Sequence, residues 1–149
     1  MSEDARDRAV KLQLRLAQLD RIDSCRNDFL TFVRAMWPEF IAGEHHKIIA
    51  EKFQRVADGS LKRLIINMAP RHTKSEFASN FLPAWFIGRN PNMKIIQATH
   101  TTELAVGFGR KVKNLLDRED YTEIFPEAKL SADSKASGRW DTARGGTYY

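Results

Sequence analysis

Residues 67–77, NMAPRHTKSEF, place a lysine and a serine at the predicted start of a helix that follows an apolar run. Backbone N–H groups at a helix start, together with the helix dipole, attract phosphate oxygens. A lysine can neutralise β- and γ-phosphate charge, and a hydroxyl can bind Mg²⁺. Lys74 and Ser75 therefore indicate phosphate-binding chemistry, with Arg71 and His72 as further donors.

The sequence of this loop differs from the usual G-x-x-x-x-G-K-[ST] pattern of phosphate-binding loops. Met68 stands at the first glycine position and Thr73 at the second. A non-glycine residue with positive φ costs about 1 kcal/mol, so either the loop bends differently or Thr73 tolerates strain. Pro70 has no N–H to offer a phosphate, but it stiffens the loop entry. From these residues alone, phosphate binding and an ordinary loop that carries a lysine both stay open.

The helices around the loop follow from hydrophobic periodicity and from end signals. Helices are predicted over 2–22, 29–36, 44–60, 74–90 and 103–120. Asn27 or Asp28 is the predicted cap of the second helix, and Thr101 or Thr102 that of the last. Pro83 lies inside the fourth helix and is predicted to kink it.

Two short apolar runs, 62–68 and 93–100, are predicted to be strands, the first of them buried. The segments GRWDT and GTYY, on either side of a turn at 143–146, predict a hairpin. Helices that alternate with strands in this order predict an α/β fold with a parallel sheet.

Composition restricts the class of protein. The chain has 149 residues, of which 42% are hydrophobic and 29% charged, so a globular domain with a real core is expected. The net charge of +5 and the pI of about 9.5 suit an anionic partner such as nucleotide or nucleic acid without proving either. Cys25 is the single cysteine, which excludes an internal disulfide framework. No apolar run approaches the roughly 18 residues of a membrane span, and the charged N-terminus lacks a signal-peptide pattern.

The stretch 61–115, which begins LKRLIINMAPRHTKSEF and ends GRKVKNL, resembles the N-terminal ATPase region of the large terminases of tailed phages. Those proteins are the motors that package and cut viral DNA. The resemblance extends from about residue 27 to the end of the chain. The run P-R-H-x-K-S-E is specific to this group, whose phosphate loop lacks the first glycine. Many relatives keep a glycine before the lysine, where this chain has Thr73.

The resemblance implies ATP and Mg²⁺ as cofactors and gives roles to individual residues. Lys74 would contact the β- and γ-phosphates, and Ser75 would bind Mg²⁺ through its hydroxyl. Arg71 would stabilise γ-phosphate charge as an arginine finger does, the alternative being a solvated loop charge. His45 or His46 would lie on the adenine side, unless it serves only as a capping or half-buried histidine. The implied catalytic residues are Arg71 and Lys74, and the implied cofactor-binding residues are Pro70, Arg71, His72, Thr73, Lys74, Ser75, Glu76 and His45.

The resemblance also implies a domain organisation. Residues 1–26 would be an N-terminal helical segment, and 27–149 the front of an ATPase domain with an incomplete P-loop NTPase-type parallel sheet and helices on its faces. The strands at 63–67 and 94–98 would be parallel but separated by a gap. The acidic pair that binds Mg²⁺ and activates water, and the nuclease domain, would lie outside the chain. We therefore expect no ATP hydrolysis by this chain alone.

The implied partners are double-stranded DNA, the small terminase subunit and the portal protein, with a ring homo-oligomer in the complete motor and no membrane. The implied location is the host cytoplasm, with the chain encoded by a virus or a prophage. Two other functions stay open: a non-catalytic remnant or interaction module of the same family, and a fragment of another P-loop ATPase such as a helicase or a kinase.

Overall fold

The computed structural model describes residues 3–134 and 136–149, and the molecule is mostly helical. Its helices are α1 (Glu3–Asn27), α2 (Phe29–Met36), α3 (Glu44–Ala57), a π-helix (Glu76–Phe81), α4 (Leu82–Arg89), α5 (Thr102–Leu116) and α6 (Glu119–Ile124). Its strands are β1 (Lys94–Ile95), β2 (Trp140–Asp141) and β3 (Thr147–Tyr148). No helix within the described ranges is long and apolar enough to cross a membrane. The division into segments 1–26 and 27–149 stays a prediction.

Local signals set the helix ends. The Asp28 carboxylate accepts a hydrogen bond from the Thr31 N–H at 2.6 Å and so caps α2. The Thr101 hydroxyl accepts from the Leu104 N–H at 3.3 Å and caps α5. Each cap is one of the two candidates that the sequence offered. Gly59, with φ of 79°, follows α3, where a left-handed residue ends a helix without steric cost. The predicted helix over 103–120 is two helices, α5 and α6.

The fourth helix changes type along its length. Helical backbone begins at Lys74, passes through the π-helix and continues as α4. The Leu82 N–H bonds to the Phe77 carbonyl five residues earlier, as a π turn requires. Pro83, in the first turn of α4, lacks an N–H, and its ring would clash with the carbonyl four residues before it in a regular α-helix. The wider turn just before Pro83 therefore accommodates the proline within a continuous helix.

The sheet has three short strands in the order β1-β3-β2. β2 and β3 pair antiparallel, which confirms the predicted hairpin, and Gly145 in its turn has φ of 89°. β1 pairs parallel with β3, in the register Lys94 with Thr147 and Ile95 with Tyr148. This pairing joins the middle of the chain to its last residues.

The predicted P-loop NTPase-type parallel sheet with helices on its faces is wrong. Residues 62–68 form no strand, and no backbone hydrogen bond within the described ranges involves them. Ile65, expected in a buried strand, is 86% exposed. The other predicted strand, 93–100, is reduced to β1, which pairs with the C-terminal β3. An apolar run becomes a strand only when a neighbouring strand pairs with it, and no strand pairs with 62–68 within the described ranges.

An aromatic core holds the helices together. The Phe29 ring lies edge-on to Phe53, Phe77 and Trp85, with ring centroids 5.3, 5.5 and 5.5 Å away. The Trp85 indole N–H donates to the Cys25 carbonyl of α1 at 2.9 Å. These four rings come from α2, α3, the π-helix and α4, so one cluster joins the elements on either side of the candidate loop. We call Phe29, Phe53, Phe77 and Trp85 the aromatic core.

Candidate functional site

The structure brings most of the predicted site residues to one cavity. It has a volume of about 530 Å³, and Met68 and Ala69 form part of its wall. Six of the eight predicted cofactor-binding residues line it: Pro70, Arg71, Thr73, Lys74, Ser75 and Glu76. His72 and His45 do not line this cavity.

The loop that forms the cavity has an unusual backbone. Arg71 has φ of 64° and Thr73 has φ of 60°, so two non-glycine residues adopt the left-handed conformation. This conformation is strained for a β-branched residue such as threonine. Thr73 therefore takes the strained conformation that the sequence left as one of two alternatives. The loop bends as a glycine at that position would allow, although it carries a threonine.

The start of the following helix offers free backbone donors to the cavity. The Phe77 N–H bonds to the Thr73 carbonyl at 3.0 Å, which closes the first helical turn. The N–H groups of residues 74–76 lie ahead of that bond, and no acceptor for them occurs in the described part of the chain. Unpaired N–H groups at a helix start carry partial positive charge and bind anions.

The charged side chains of the site differ in how far they are already paired. Arg71 and Lys74 are exposed, and neither makes a hydrogen bond or ion pair within residues 3–134 and 136–149. Glu76 is engaged: its Oε1 lies 3.0 Å from Lys111 Nζ of α5, and its Oε2 accepts from the Asn80 amide. The cavity therefore presents two unpaired cations, and its carboxylate is already neutralised by a lysine.

Three histidines lie beside the loop in different roles. His72 Nδ1 lies 2.9 Å from the Pro70 carbonyl, a contact within the loop. His46 Nε2 lies 2.5 Å from the Thr73 hydroxyl, and its ring is buried. Burial lowers the pKa of His46, and the neighbouring His45 and His72 lower it further. The three rings lie close together: the centroid of the His45 ring is 3.8 Å from that of His46 and 5.7 Å from that of His72.

His45 faces a second cavity of about 530 Å³ that shares Met68 with the loop cavity. This second cavity is mainly apolar, with Ile48 and Ile65 among its lining residues. The His45 Nε2 is buried and has no hydrogen-bond partner in the described structure. Of the two histidines that the sequence offered for the adenine side, His45 thus has a ring nitrogen without a hydrogen-bond partner in the described structure, whereas both nitrogens of His46 are engaged.

Sequence reasoning missed two contributors, Lys111 and Asn80. Asn80 lies four residues after Glu76 and on the same helical face, a spacing that could have indicated the contact. Lys111 is distant in sequence and carries no signal of its contact with Glu76. Because these two residues donate to the Glu76 carboxylate, its oxygens are no longer free acceptors in the site.

No group of three or more histidine, cysteine or acidic side chains suited to a metal ion occurs in the described ranges. A larger cavity of about 660 Å³ lies elsewhere, with Arg26, Arg89 and Arg144 at its wall, and shares no residue with the loop. No family model, characterised protein or solved structure matches this chain. The candidate function therefore depends on the geometry of the loop and on the sequence resemblance.

Proposed function

We propose that this chain binds the phosphates of Mg·ATP at the 70–76 loop, as the nucleotide-binding portion of a viral DNA-packaging terminase ATPase. One observation carries the proposal: residues 74–76, whose backbone N–H groups are unpaired at a helix start, line one cavity together with the exposed, unpaired side chain of Lys74. An anion there would meet a helix dipole, backbone donors and a full positive charge at once.

The residues of the cavity suit distinct tasks. Lys74 would neutralise the β- and γ-phosphates as a point charge, and Arg71 would offer its planar fork to the γ-phosphate. The Ser75 hydroxyl is exposed beside Lys74 and would bind Mg²⁺. The Thr73 hydroxyl and the Glu76 carboxylate in the same cavity are already engaged, so the residues fit Mg²⁺ as a companion of the phosphates, which with water would supply its other ligands. Bound Mg²⁺ would offset phosphate charge.

The base would occupy the neighbouring apolar cavity. His45 lines this cavity, where its ring would pack against the base, and Ile48 is 59% exposed in the same wall. The two cavities share Met68, so the positions proposed for the phosphates and for the base are adjacent.

The wider biological role comes from the resemblance and belongs to the same proposal. ATP hydrolysis would drive translocation of double-stranded DNA in the complete motor, with the small terminase subunit and the portal protein as partners and a ring as the working assembly. The location would be the cytoplasm of the host. The basic pI of about 9.5 is in keeping with a DNA partner.

Calorimetric titration with Mg·ATP tests the proposal. We expect wild-type protein to bind weakly and Lys74→Ala to lose most of the binding, because the variant removes the one lysine beside the free N–H groups. Lys11→Ala on α1 is the matched control, since it removes the same charge from an exposed position on a helix outside the cavity. Equal titration curves for wild type and Lys74→Ala would refute phosphate binding at this loop.

A further inference from the structure

His46 connects helix α3 to the candidate loop through both ring nitrogens. Its Nδ1 accepts a hydrogen bond from the Gly43 N–H at 2.9 Å, at the N-terminus of its own helix. A backbone N–H can only donate, so Nδ1 carries no proton in this arrangement. The neutral ring therefore holds its proton on Nε2, which lies 2.5 Å from the Thr73 hydroxyl oxygen and donates to it. Thr73 in turn donates its hydroxyl proton to the His72 carbonyl at 2.6 Å.

The residue that His46 holds is the strained one. Thr73, with φ of 60°, is β-branched, and such a residue keeps this conformation only where its surroundings enforce it. Its carbonyl accepts the bond that closes the first helical turn, and its side chain is held by His46. Loss of the side-chain contact would let Thr73 return to negative φ. The helix start at residues 74–76, which lines the cavity, would then lose its present backbone geometry.

We propose that His46 is a positioning residue that holds the 70–76 loop in its phosphate-receiving conformation, and that it does so only as the neutral Nε2–H tautomer. This inference rests on the proposed function for its ligand. It gives His46 a role separate from that of His45: one histidine shapes the loop, and the other faces the cavity for the base.

Protonation of His46 would break the connection. A proton on Nδ1 would face the Gly43 N–H, donor against donor, and the ring would have to turn away from Thr73. The titratable groups that face His46 are His45 on its own helix and His72 in the loop. Phe40 and Phe77 cover the ring on its other sides and carry no charge. Glu44, on the same helix, is exposed and paired with Lys47.

We expect phosphate binding to weaken as the pH falls, whereas charge attraction alone would strengthen it. Extra positive charge on histidines beside an anion site would strengthen phosphate binding as the pH falls. Loss of the loop conformation would weaken it. The pKa of His46 is lowered by burial, so the weakening belongs to the pH range below the usual titration of histidine.

Two substitutions separate these effects. His46→Gln keeps an amide N–H donor near the position of Nε2 and cannot titrate, whereas His46→Leu removes the donor. We expect His46→Leu to weaken Mg·ATP binding about five- to tenfold, the value of one hydrogen bond, and His46→Gln to restore it. Titrations from pH 7.5 to 5.0 should show wild type weakening relative to His46→Gln. Equal pH profiles for these two proteins, or full affinity in His46→Leu, would overturn the proposal.

A second measurement needs no nucleotide. In a double-mutant cycle, His46→Leu is combined with Thr73→Val, which removes the hydroxyl but keeps the β-branch, and Thr73→Ser is the control that keeps the hydroxyl. We expect the effects of His46→Leu and Thr73→Val on the unfolding equilibrium to be non-additive, because both remove one contact. Additive effects would overturn the role of His46 in holding the loop. Coupling in the cycle without Mg·ATP binding by wild type would instead refute the proposed function and leave the contact established.

Discussion

The aromatic core and the segment 62–73 are stabilised by different kinds of interaction. Each ring of the aromatic core is at most 3% exposed and contacts at least one other ring. Residues 62–68 make no backbone hydrogen bond within the described ranges, and two of the next five residues have left-handed backbone. Packing therefore fixes the core, whereas a few polar contacts fix the loop. The residues that stabilise the fold and the residues of the candidate site therefore lie in different parts of this protein.

Phe77 connects the two regions. Its ring belongs to the aromatic core, and its N–H donates to the Thr73 carbonyl in the hydrogen bond that closes the first helical turn. The end of the loop is thus anchored directly to the best-packed part of the molecule. A strained loop can persist when one end is attached to a rigid structure, because the strain cannot then be relieved by a shift of the whole helix.

The largest expected effect comes from truncating the core. Trp85→Ala should lower the free energy of unfolding by about 3–5 kcal/mol, because it leaves a large cavity and removes the indole hydrogen bond to Cys25. Urea unfolding monitored by circular dichroism measures the change. Phe86→Ala on the same helix is the matched control, since Phe86 is only half-buried and should cost much less. If both variants unfold at the same urea concentration, the core is not where the stability resides.

A smaller effect should appear on lowering the pH. The pKa of His46 in the folded protein is lowered by burial from its ordinary value of 6.5, so protonation favours the unfolded chain. The contribution of His46 to stability should be fully present above about pH 6.5 and should fall as the pH drops toward its folded pKa. Urea unfolding at pH 7.5 and 5.0 tests this, with His46→Gln as the reference. The wild type should lose more stability than the variant over this range, and an equal loss would contradict a buried neutral His46.

The smallest effect is expected in the exposed segment. Ile65→Ser should change the free energy of unfolding by no more than about 0.5 kcal/mol, because a side chain that is 86% exposed loses little burial. Ile66→Ser, at the adjacent half-buried position, should cost more in the same urea experiment. A loss above about 1 kcal/mol for Ile65→Ser would mean that this side chain is packed in solution, and the contrast between the two regions would be weaker than described.

The sequence was informative wherever structure depends on neighbours in the chain. The caps at Asp28 and Thr101 and the hairpin around Gly145 follow from local chemistry, and the structure confirms them. The prediction of a strand at 62–68 was wrong because strand formation depends on a partner strand distant in sequence, which an apolar run does not reveal. The π-helix was missed, although Pro83 within a helical pattern signalled that the regular hydrogen bonds must change there.

The candidate site divides in the same way. The sequence alone showed that Lys74 and Ser75 are adjacent at a predicted helix start, and both line one cavity in the structure. The contact of His46 with Thr73 joins residues that are 27 positions apart, and no local pattern specifies it. The sequence showed that Thr73 replaces a glycine, so that a left-handed backbone there would be strained. Only the fold shows that His46 contacts Thr73 and holds it in this conformation.

The π-helix allows one unbroken helix to join the loop to the core despite Pro83. A π turn holds one more residue between bonded groups than an α turn does. Removal of a single residue between Glu76 and Phe81 would leave a regular α turn, in which the Pro83 ring meets the carbonyl four residues before it and the helix must kink or break. The extra residue therefore acts as a spacer that keeps the helix continuous from Lys74 through Phe77 to α4, so that the cavity wall and the core move as one body.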